Sequence, residues 1–350
     1  HHDAQRIGVL RCADQLSPQL QLQVLGAFML TLTNLSNADC DVENVLQNRT
    51  DTLPTLLYTH MLDGIEFMIC GPWDRVMHPP QYIKGVHLLF WPCWLDFWRG
   101  NHAALMEEFG SEENIRAYYG SLHVGDWIAA WKENLRQAAE CQPQYLVMHV
   151  AHNRTSEMYT RAFAATNEDV IRATIELVNE IACEIPEGCR LLFENLWWPG
   201  LTFCQPHLAA MLLEKVNYPA VGFMLDTGHL MNTNLDLRSE ADGAAYVTKI
   251  YQNLGEVGKH VYGLHLHRSL SGSYVRAMMH RHAGSCDPLG WQTAMDYVVR
   301  VDRHEPFRTE SARRILDAVQ PDYLVHEFLQ RSRTDCEQKL RTQRRALGFL

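Results

Sequence analysis

Short apolar runs recur along this 350-residue chain, and each ends at or close to an imidazole or a carboxylate. The six runs are GVHLLFWP with His87, YLVMHVAH with His149, RLLFENLWW with Glu194, VGFMLDTGHL with Asp226 and His229, VYGLHLHRSL with His265 and His267, and YLVHEF with Glu327. Such runs are typical of parallel strands that are covered on both faces. Because the C-terminal strand ends of a (β/α)8 barrel converge on one mouth, the pattern predicts a polynuclear metal site there.

Eight candidate strands alternate with helical patterns, which indicates βα units and a parallel sheet. The predicted strands span residues 28–35, 64–70, 85–91, 145–151, 190–196, 221–226, 261–267 and 323–328. The predicted helices span 126–140, 167–183, 205–215, 239–254 and 311–319, with Asp126 and Asn167 as the N-caps of the first two. The predicted fold class is therefore α/β, an eight-stranded parallel TIM barrel.

The barrel is predicted to occupy residues 28–329, between an N-terminal extension (1–27) and a C-terminal helix or tail (330–350). A long insertion, residues 92–125, follows the third strand. Structured loops at a barrel mouth usually shape the substrate pocket, so the insertion is expected to do so here.

Charge and composition exclude several classes of protein. The net charge is −10 and the pI about 6.0, so the chain is not expected to bind nucleic acid, which requires a basic surface. No apolar stretch reaches the length of a membrane span, and no signal peptide is visible. The ten cysteines form no regular framework and are expected to be reduced thiols. These features favour a cytoplasmic protein and are compatible with a homo-oligomer.

Four of the strand-end residues form an economical ligand set for a divalent ion: Glu194, Asp226, His265 and Glu327. An unpaired carboxylate inside an apolar run would be costly, so Glu194 and Asp226 need either a metal or a structural salt bridge, and the metal is favoured. His87 and His149, taken alone, are also compatible with core histidines.

Two local motifs add ligands to this set. In LDTGH, Asp226 and His229 lie three residues apart at a strand end, where the turn can aim both inward. In HRHAGSCDPLGW, His280 and His282 alternate toward one side before a glycine-containing loop.

With these motifs the chain resembles the xylose-isomerase-like TIM-barrel superfamily, which includes sugar phosphate isomerases and epimerases and the endonuclease IV relatives. The resemblance extends over about residues 28 to 328. In endonuclease IV relatives nine ligands hold up to three metal ions. The resemblance implies, in motif order, His87, His149, Glu194, Asp226, His229, His265, His280, His282 and Glu327. The pair before the last strand reads D-x-H in that family, so His280 departs from the pattern.

The epimerase branch implies a smaller site, with one metal held by Glu194, Asp226, His265 and Glu327. In that branch the two glutamates lie on opposite faces of the sugar and move protons at the carbon next to the carbonyl. The resemblance therefore implies catalytic roles for Glu194 and Glu327. The chemistry is consistent, because a metal acidifies the neighbouring C–H and a carboxylate takes the proton.

Several residues near the predicted mouth are candidates for substrate binding. They are His267, Arg268, Arg276, Trp91 and Trp197. Aromatic walls with a few polar anchors are typical of a small-molecule pocket, although packing for the tryptophans and solvated charge for the arginines remain alternatives. His265 is favoured as the ligand, and His267 as a residue that supports a ligand or contacts the substrate.

The leading functional hypothesis is a divalent-metal-dependent isomerase or epimerase of a sugar, sugar acid or related small polar metabolite. The alternatives are an endonuclease-IV-like multinuclear metallohydrolase that cleaves a phosphodiester, a metal-dependent peptide- or metabolite-modifying enzyme, and a non-enzymatic binding protein. The expected cofactor is one to three divalent ions per chain, of zinc, manganese, cobalt or iron.

Overall fold

Eight parallel strands close into a barrel in which every strand pairs with its neighbour in sequence order. The computed structural model describes residues 29–350. The strands are β1 (Leu30–Ser36), β2 (Gly64–Met68), β3 (Ile83–His87), β4 (Tyr145–His149), β5 (Arg190–Glu194), β6 (Val221–Asp226), β7 (Val261–Leu266) and β8 (Tyr323–His326). Strand β1 closes the barrel on β8, with Leu30 in register with Tyr323. The predicted barrel is confirmed, whereas the N-terminal extension lies outside the described residues.

All eight predicted strands are present with small shifts at their ends. The main difference is β3, which spans Ile83–His87 rather than residues 85–91. Six strands end earlier than predicted, and in β3, β4 and β5 the residue at the new end is one of the predicted ligands. His149 ends β4 and Glu194 ends β5. The apolar residues that follow in sequence therefore belong to the loops at the barrel mouth.

Thirteen α-helices lie in the described part of the chain. They are α1 (Thr52–Thr59), α2 (Leu95–Trp98), α3 (His102–Phe109), α4 (Glu112–Tyr119), α5 (Val124–Glu140), α6 (Asn167–Ile181), α7 (Pro206–Lys215), α8 (Thr227–Met231), α9 (Glu240–Asn253), α10 (Gly272–Arg281), α11 (Trp291–Val301), α12 (Ser311–Val319) and α13 (Arg333–Ala346). Short 3-10 or π helices lie at Asp41–Val45, Pro80–Tyr82, Thr155–Glu157, Ala182–Glu184 and Gly255–His260. All five predicted barrel helices are present, and the insertion folds into α2, α3 and α4.

Two predicted helix caps were wrong. The N-cap of α6 is Thr166, whose hydroxyl accepts a hydrogen bond from the Asp169 amide while the Asp169 carboxylate accepts one from the Thr166 amide. This reciprocal arrangement is a capping box, and it moves Asn167 into the first turn. Helix α5 begins at Val124, two residues before Asp126, whose carboxylate accepts a hydrogen bond from the Ser121 hydroxyl instead.

The barrel interior is a packed core beneath the mouth. One buried cluster inside it contains Leu32, Tyr145, Val147, Leu192, Met224, Tyr323 and Val325. Gly85 lies in register with Tyr145 on the neighbouring strand, and a Cβ on Gly85 would lie 2.2 Å from the Tyr145 ring. The small residue therefore leaves room for the ring. The Tyr145 hydroxyl donates a hydrogen bond of 2.7 Å to the buried carboxylate of Glu66.

None of the helices within residues 29–350 is long and apolar enough to cross a membrane. The nine cysteines of this part of the chain are all free thiols.

We expect Gly85→Ala to destabilise the barrel by about 1–3 kcal/mol, because the added methyl group overlaps a ring enclosed on every side. Gly125→Ala is a matched control: Gly125 lies exposed in α5, and a Cβ there would meet no atom within 4 Å. The control should leave stability unchanged or raise it by about 0.5–1 kcal/mol. Urea denaturation of both variants measures the difference, and equal midpoints would contradict the packing argument.

Candidate metal centre

The C-terminal strand ends carry the ligand-type residues to one place at the barrel mouth. His87, His149, Glu194 and Asp226 are the last residues of β3, β4, β5 and β6. His265 is the penultimate residue of β7, and Glu327 directly follows β8. Because all strands run parallel, their ends share one rim, and the side chains converge as the sequence predicted.

The first group of ligand atoms consists of His87, His149 and Glu194. The two imidazole Nε2 atoms lie 3.1 Å apart. Glu194 Oε2 lies 3.0 Å from His87 Nε2 and 2.9 Å from His149 Nε2. Three ligand atoms therefore face one point.

The second group consists of Glu194, Asp226, His265 and Glu327, whose ligand atoms all lie within 4.8 Å of one another. His265 Nδ1 lies 3.1 Å from Glu194 Oε1 and 2.7 Å from Glu327 Oε2. Glu194 thus presents one oxygen to the first group and the other to the second. A carboxylate in this position could therefore serve both groups if each held a cation.

The third group consists of His229, Asp302 and His304. His229 Nε2 lies 2.9 Å from Asp302 Oδ2, and His304 Nε2 lies 3.5 Å from the same oxygen. His304 Nε2 also lies 3.1 Å from Glu327 Oε1, so Glu327 connects the second group to the third. A fourth grouping, His267, His304 and Glu327, shares two of these residues.

His280 and His282 do not reach this cluster, contrary to the sequence-based assignment. His280 is exposed in the last turn of α10, and the His282 ring stacks on Tyr159 at 4.1 Å between centroids. Their place is taken by Asp302-Arg303-His304, which has the D-x-H spacing. Sequence reasoning missed this pair because it lies in a loop after α11, outside any apolar run. The spacing itself was the available signal.

Hydrogen bonds to the outer ring nitrogens fix how the histidines face the cluster. His265 Nε2 lies 2.7 Å from Glu66 Oε1, and His229 Nδ1 lies 2.7 Å from the Asn195 carbonyl oxygen. His87 Nδ1 lies 2.8 Å from the Leu88 carbonyl oxygen, and His304 Nδ1 lies 3.0 Å from that of Asp302. An N–H donated outward leaves the inward nitrogen of the neutral ring with a free lone pair, as a metal ligand requires.

His267 lies on the buried side of the cluster, where it contacts Asp226. Its Nε2 lies 2.7 Å from Asp226 Oδ1, and the ring is fully buried and stacked on His304 at 4.4 Å between centroids. This position matches the supporting role that the sequence favoured for His267, with His265 in the ligand group. Asp226 keeps its other oxygen, Oδ2, turned to the second group.

Electrostatics within the cluster are dominated by burial and by opposite charges. Burial opposes ionisation of Glu194, but the neighbouring His149 and His265 outweigh it and hold the pKa of Glu194 well below its usual range. Burial likewise opposes protonation of His87 and His304. The carboxylates of Glu194 and Asp302 outweigh it and raise the pKa of His87 to about 8 and that of His304 to about 9. The carboxylates of the cluster therefore favour positive charge at these two positions.

The residues present fit divalent cations. The donor set is imidazole nitrogen and carboxylate oxygen, which suits zinc, manganese, iron or cobalt. Asp226 Oδ2 and Asp302 Oδ1 are buried carboxylate oxygens without a hydrogen-bond partner, although both residues belong to ligand groups. The imidazole nitrogens nearest to Asp226 Oδ2, those of His229 and His265, lie 3.5 and 3.6 Å away, beyond a normal hydrogen bond. Because buried carboxylate oxygens are rarely left without a hydrogen bond or a cation, both oxygens fit a role as metal ligands.

Two cavities open beside the cluster. The larger, of about 680 Å³, is lined mainly by apolar side chains that include Trp197. The smaller, of about 420 Å³, is lined by more polar residues that include Arg331. His149, His229 and Asp302 line both cavities. The cluster therefore lies where the two cavities meet.

Three residues predicted to bind substrate lie elsewhere. Trp91 packs on Trp127 and Trp131 and donates its indole N–H to the Tyr118 carbonyl oxygen. Arg268 is paired with Glu305 at 2.8 Å and also donates to the Pro306 carbonyl oxygen. Arg276 is exposed and paired with Asp236. None of the three lines either cavity. Trp91 and Arg268 lie in loops that follow strand ends, and Arg276 lies in α10, so strand register determines the position of none of them.

Solved structures with a similar fold share little sequence with this chain. Endonuclease IV from Thermus thermophilus is 14% identical, covers 92% of this chain and 100% of its own, and has a TM-score of 0.49. A D-tagatose 3-epimerase-like protein is 13% identical, covers 91% and 97%, and scores 0.48. The structure described as AsfvAP:AG is 12% identical, covers 91% and 99%, and scores 0.50. At these identities the likeness shows the fold alone.

The family of this chain is identified from its sequence. Residues 121–333, more than half of the chain, match the family described as xylose isomerase-like TIM barrel. This range includes every residue of the three ligand groups except His87, and also the eighth strand that closes the barrel. The chain belongs to the xylose isomerase-like TIM barrel family.

Proposed function

We propose that this protein is a multinuclear divalent-metal hydrolase that cleaves phosphate esters of small molecules. The observation that carries the proposal is the position of Glu194, whose two oxygens face two different ligand groups. A shared carboxylate is typical of metal pairs about 3.5–4 Å apart, which serve hydrolytic enzymes by holding both the attacking and the leaving oxygen.

The ligand groups support a polynuclear site rather than a single ion. The isomerase hypothesis needs only Glu194, Asp226, His265 and Glu327. It leaves no role for His87 and His149 or for the group around Asp302, which would then be buried imidazoles and carboxylates without a purpose. It also requires Glu194 or Glu327 to accept a substrate proton, although both are engaged by histidines on two sides.

Charge favours a phosphate ester as the substrate. Three divalent cations would carry more charge than the four carboxylates of the ligand groups, so the loaded site would attract an anion. Bound cations would supply an acidified water molecule and would offset the negative charge that develops on phosphoryl oxygens.

The exposure of the cluster residues indicates the side from which a substrate can reach the site. His149, Glu327 and His304 are the partly exposed members of the cluster, with 17%, 13% and 16% of their side chains accessible. Substrate therefore approaches from their side. Asp226 and His265 are fully buried and hold the opposite side in place through His267 and Glu66. A cluster fixed in this way is preorganised, so little reorganisation accompanies the reaction.

The proposed substrate is small. The acidic chain offers no excess of positive charge for a nucleic acid backbone, and the larger cavity is apolar. A cytoplasmic location and self-association remain predictions.

His304→Asn should remove about one equivalent of bound metal, whereas His280→Asn should remove none. His304 has a φ of 49°, which asparagine tolerates, so the variant should fold. Metal content of the purified variants is measured by inductively coupled plasma mass spectrometry. Loss of metal in the His280 variant instead of the His304 variant would restore the sequence-based assignment.

Metal affinity should rise as the pH increases from about 6.5 to 9. The raised pKa values of His87 (about 8) and His304 (about 9) mean that protons occupy these ligands in the metal-free protein and must leave when a cation binds. Calorimetric titration with Zn²⁺ in two buffers of different ionisation enthalpy counts the released protons. Affinity that is constant over this range would contradict the assignment of these nitrogens as ligands.

The wild type, loaded with Zn²⁺ or Mn²⁺, should hydrolyse p-nitrophenyl phosphate or bis(p-nitrophenyl) phosphate. Glu194→Gln keeps the size of the side chain but loses the charge that holds two cations, so turnover should fall about 10²-fold or more, and metal content should fall too. Glu187→Gln, at an exposed glutamate, is the control. Interconversion of sugars without any phosphate release would return the assignment to the isomerase.

A further inference from the structure

The walls of the larger cavity come mainly from segments outside the barrel strands. Helices α3 and α4 of the insertion contribute Phe109 and Tyr118, α11 contributes Trp291 and Met295, and the loop after β5 contributes Trp197. The strands thus supply the ligand cluster, and separate segments build the adjoining space. Its volume of about 680 Å³ is ample for a drug-sized organic group.

The lining of this cavity is unsuited to a charged ligand. No lysine or arginine is among the described residues that line it. Its carboxylate outside the ligand cluster is Glu108, which accepts a hydrogen bond from the Thr155 amide, and burial raises the pKa of this group. Apart from the cluster, the walls are largely aromatic and aliphatic. They favour an uncharged, largely apolar group.

One polar side chain in this wall has no partner. Asn153 is 1% exposed, and neither its Oδ1 nor its Nδ2 has a hydrogen-bond partner in the structure. Its backbone is held on both sides, because its amide donates to the Pro92 carbonyl oxygen and its own carbonyl oxygen accepts from the Cys93 thiol. These bonds hold the backbone of Asn153 beside the cavity, and burial makes the unsatisfied state of its carboxamide costly. A rotation of the side chain that brings the carboxamide to a ligand in the cavity would remove this cost.

We propose that this cavity binds an uncharged aromatic group that carries a hydrogen-bond donor beside an acceptor, and that Asn153 pairs with both. A carboxamide offers one acceptor and one donor side by side, so a matching pair on the ligand satisfies both atoms. The aromatic part of the ligand lies against Trp197 and Tyr118.

The cluster lies at the floor of the same cavity, through His149, His229 and Asp302. A group bound there is therefore adjacent to the ligand groups, and we identify it as the organic part of the phosphate ester. This identification rests on the proposed function, whereas the chemical class of the ligand rests on the cavity alone.

The test compares 2-naphthamide with 2-acetylnaphthalene. The two molecules have the same shape and carbonyl acceptor, but the second has a methyl group in place of the NH₂ donor. Calorimetric titration of the metal-loaded protein should show that the amide binds about tenfold more tightly, as expected for one additional buried hydrogen bond. Equal affinities, or no binding of either molecule, would overturn the proposal.

Variants of Asn153 test whether this residue causes the preference for the amide. Asn153→Leu keeps the size of the side chain and should abolish the preference, and Asn153→Asp, which retains acceptors only, should abolish it too. Asn114→Leu is the matched control, because the Asn114 amide already donates to the Phe109 carbonyl oxygen and should not affect the preference. Thermal melting verifies that each variant folds. A preference that persists in a folded Asn153 variant would remove Asn153 from the proposal.

Two matched esters separate this inference from the proposed function. If 6-carbamoyl-2-naphthyl phosphate is hydrolysed with a lower KM than 6-acetyl-2-naphthyl phosphate, both are supported. If neither ester is hydrolysed but the amide still binds preferentially through Asn153, the hydrolase proposal fails and the ligand class stands. If both esters are hydrolysed with equal KM and the two naphthyl compounds bind with equal affinity, the hydrolase proposal stands and the proposed ligand class fails.

Discussion

The carboxylate of Glu194 is the constraint on which the site depends. It is completely buried, and an isolated charge at such a position would be strongly unfavourable. Its two oxygens are instead surrounded by His87 and His149 on one side and by His265 on the other. Those partners come from three other strands, so the charge is tolerated only when the barrel is closed. The same carboxylate thus couples the integrity of the fold to the assembly of the ligand groups.

Strand register determines where the residues around Glu194 lie. His149 lies in register with Glu194 across β4 and β5, and Asp226 lies in register with His265 across β6 and β7. Neighbouring ligands therefore lie side by side at one height above the core. Beneath them Glu66 accepts from His265 and from Tyr145, which joins the cluster to the packed interior. Small displacements of the core are consequently transmitted to the ligand positions.

The parts of the fold and site that the sequence predicted are those that depend on the strands. An apolar run gives the strand, and the position of a polar residue along it gives the height and direction of the side chain, which is why His87 and Glu194 could be placed. Asp302 and His304 lie in a loop, which has no period, and His304 adopts a left-handed backbone conformation, so only their D-x-H spacing could have identified them. His280 and His282 were chosen instead because their alternation looked regular. Arg268 illustrates the same limit, since its ion pair with Glu305 depends on a contact between two loops.

The strands and the segments outside them contribute to different properties of the site, namely reactivity and the choice of ligand. In the proposed function, reactivity depends on the ligand groups, whose positions are fixed by strand register and by the buried charge of Glu194. In the proposed function, the choice of ligand depends on the insertion and on α11, whose residues line the larger cavity together with His149, His229 and Asp302. Substitutions in those helices alter the apolar walls without moving a strand end. The unpartnered amide of Asn153 lies between the two regions, in the loop that leaves β4 four residues after His149. One segment of chain therefore carries both a cluster residue and the polar group best placed to select what reaches the cluster.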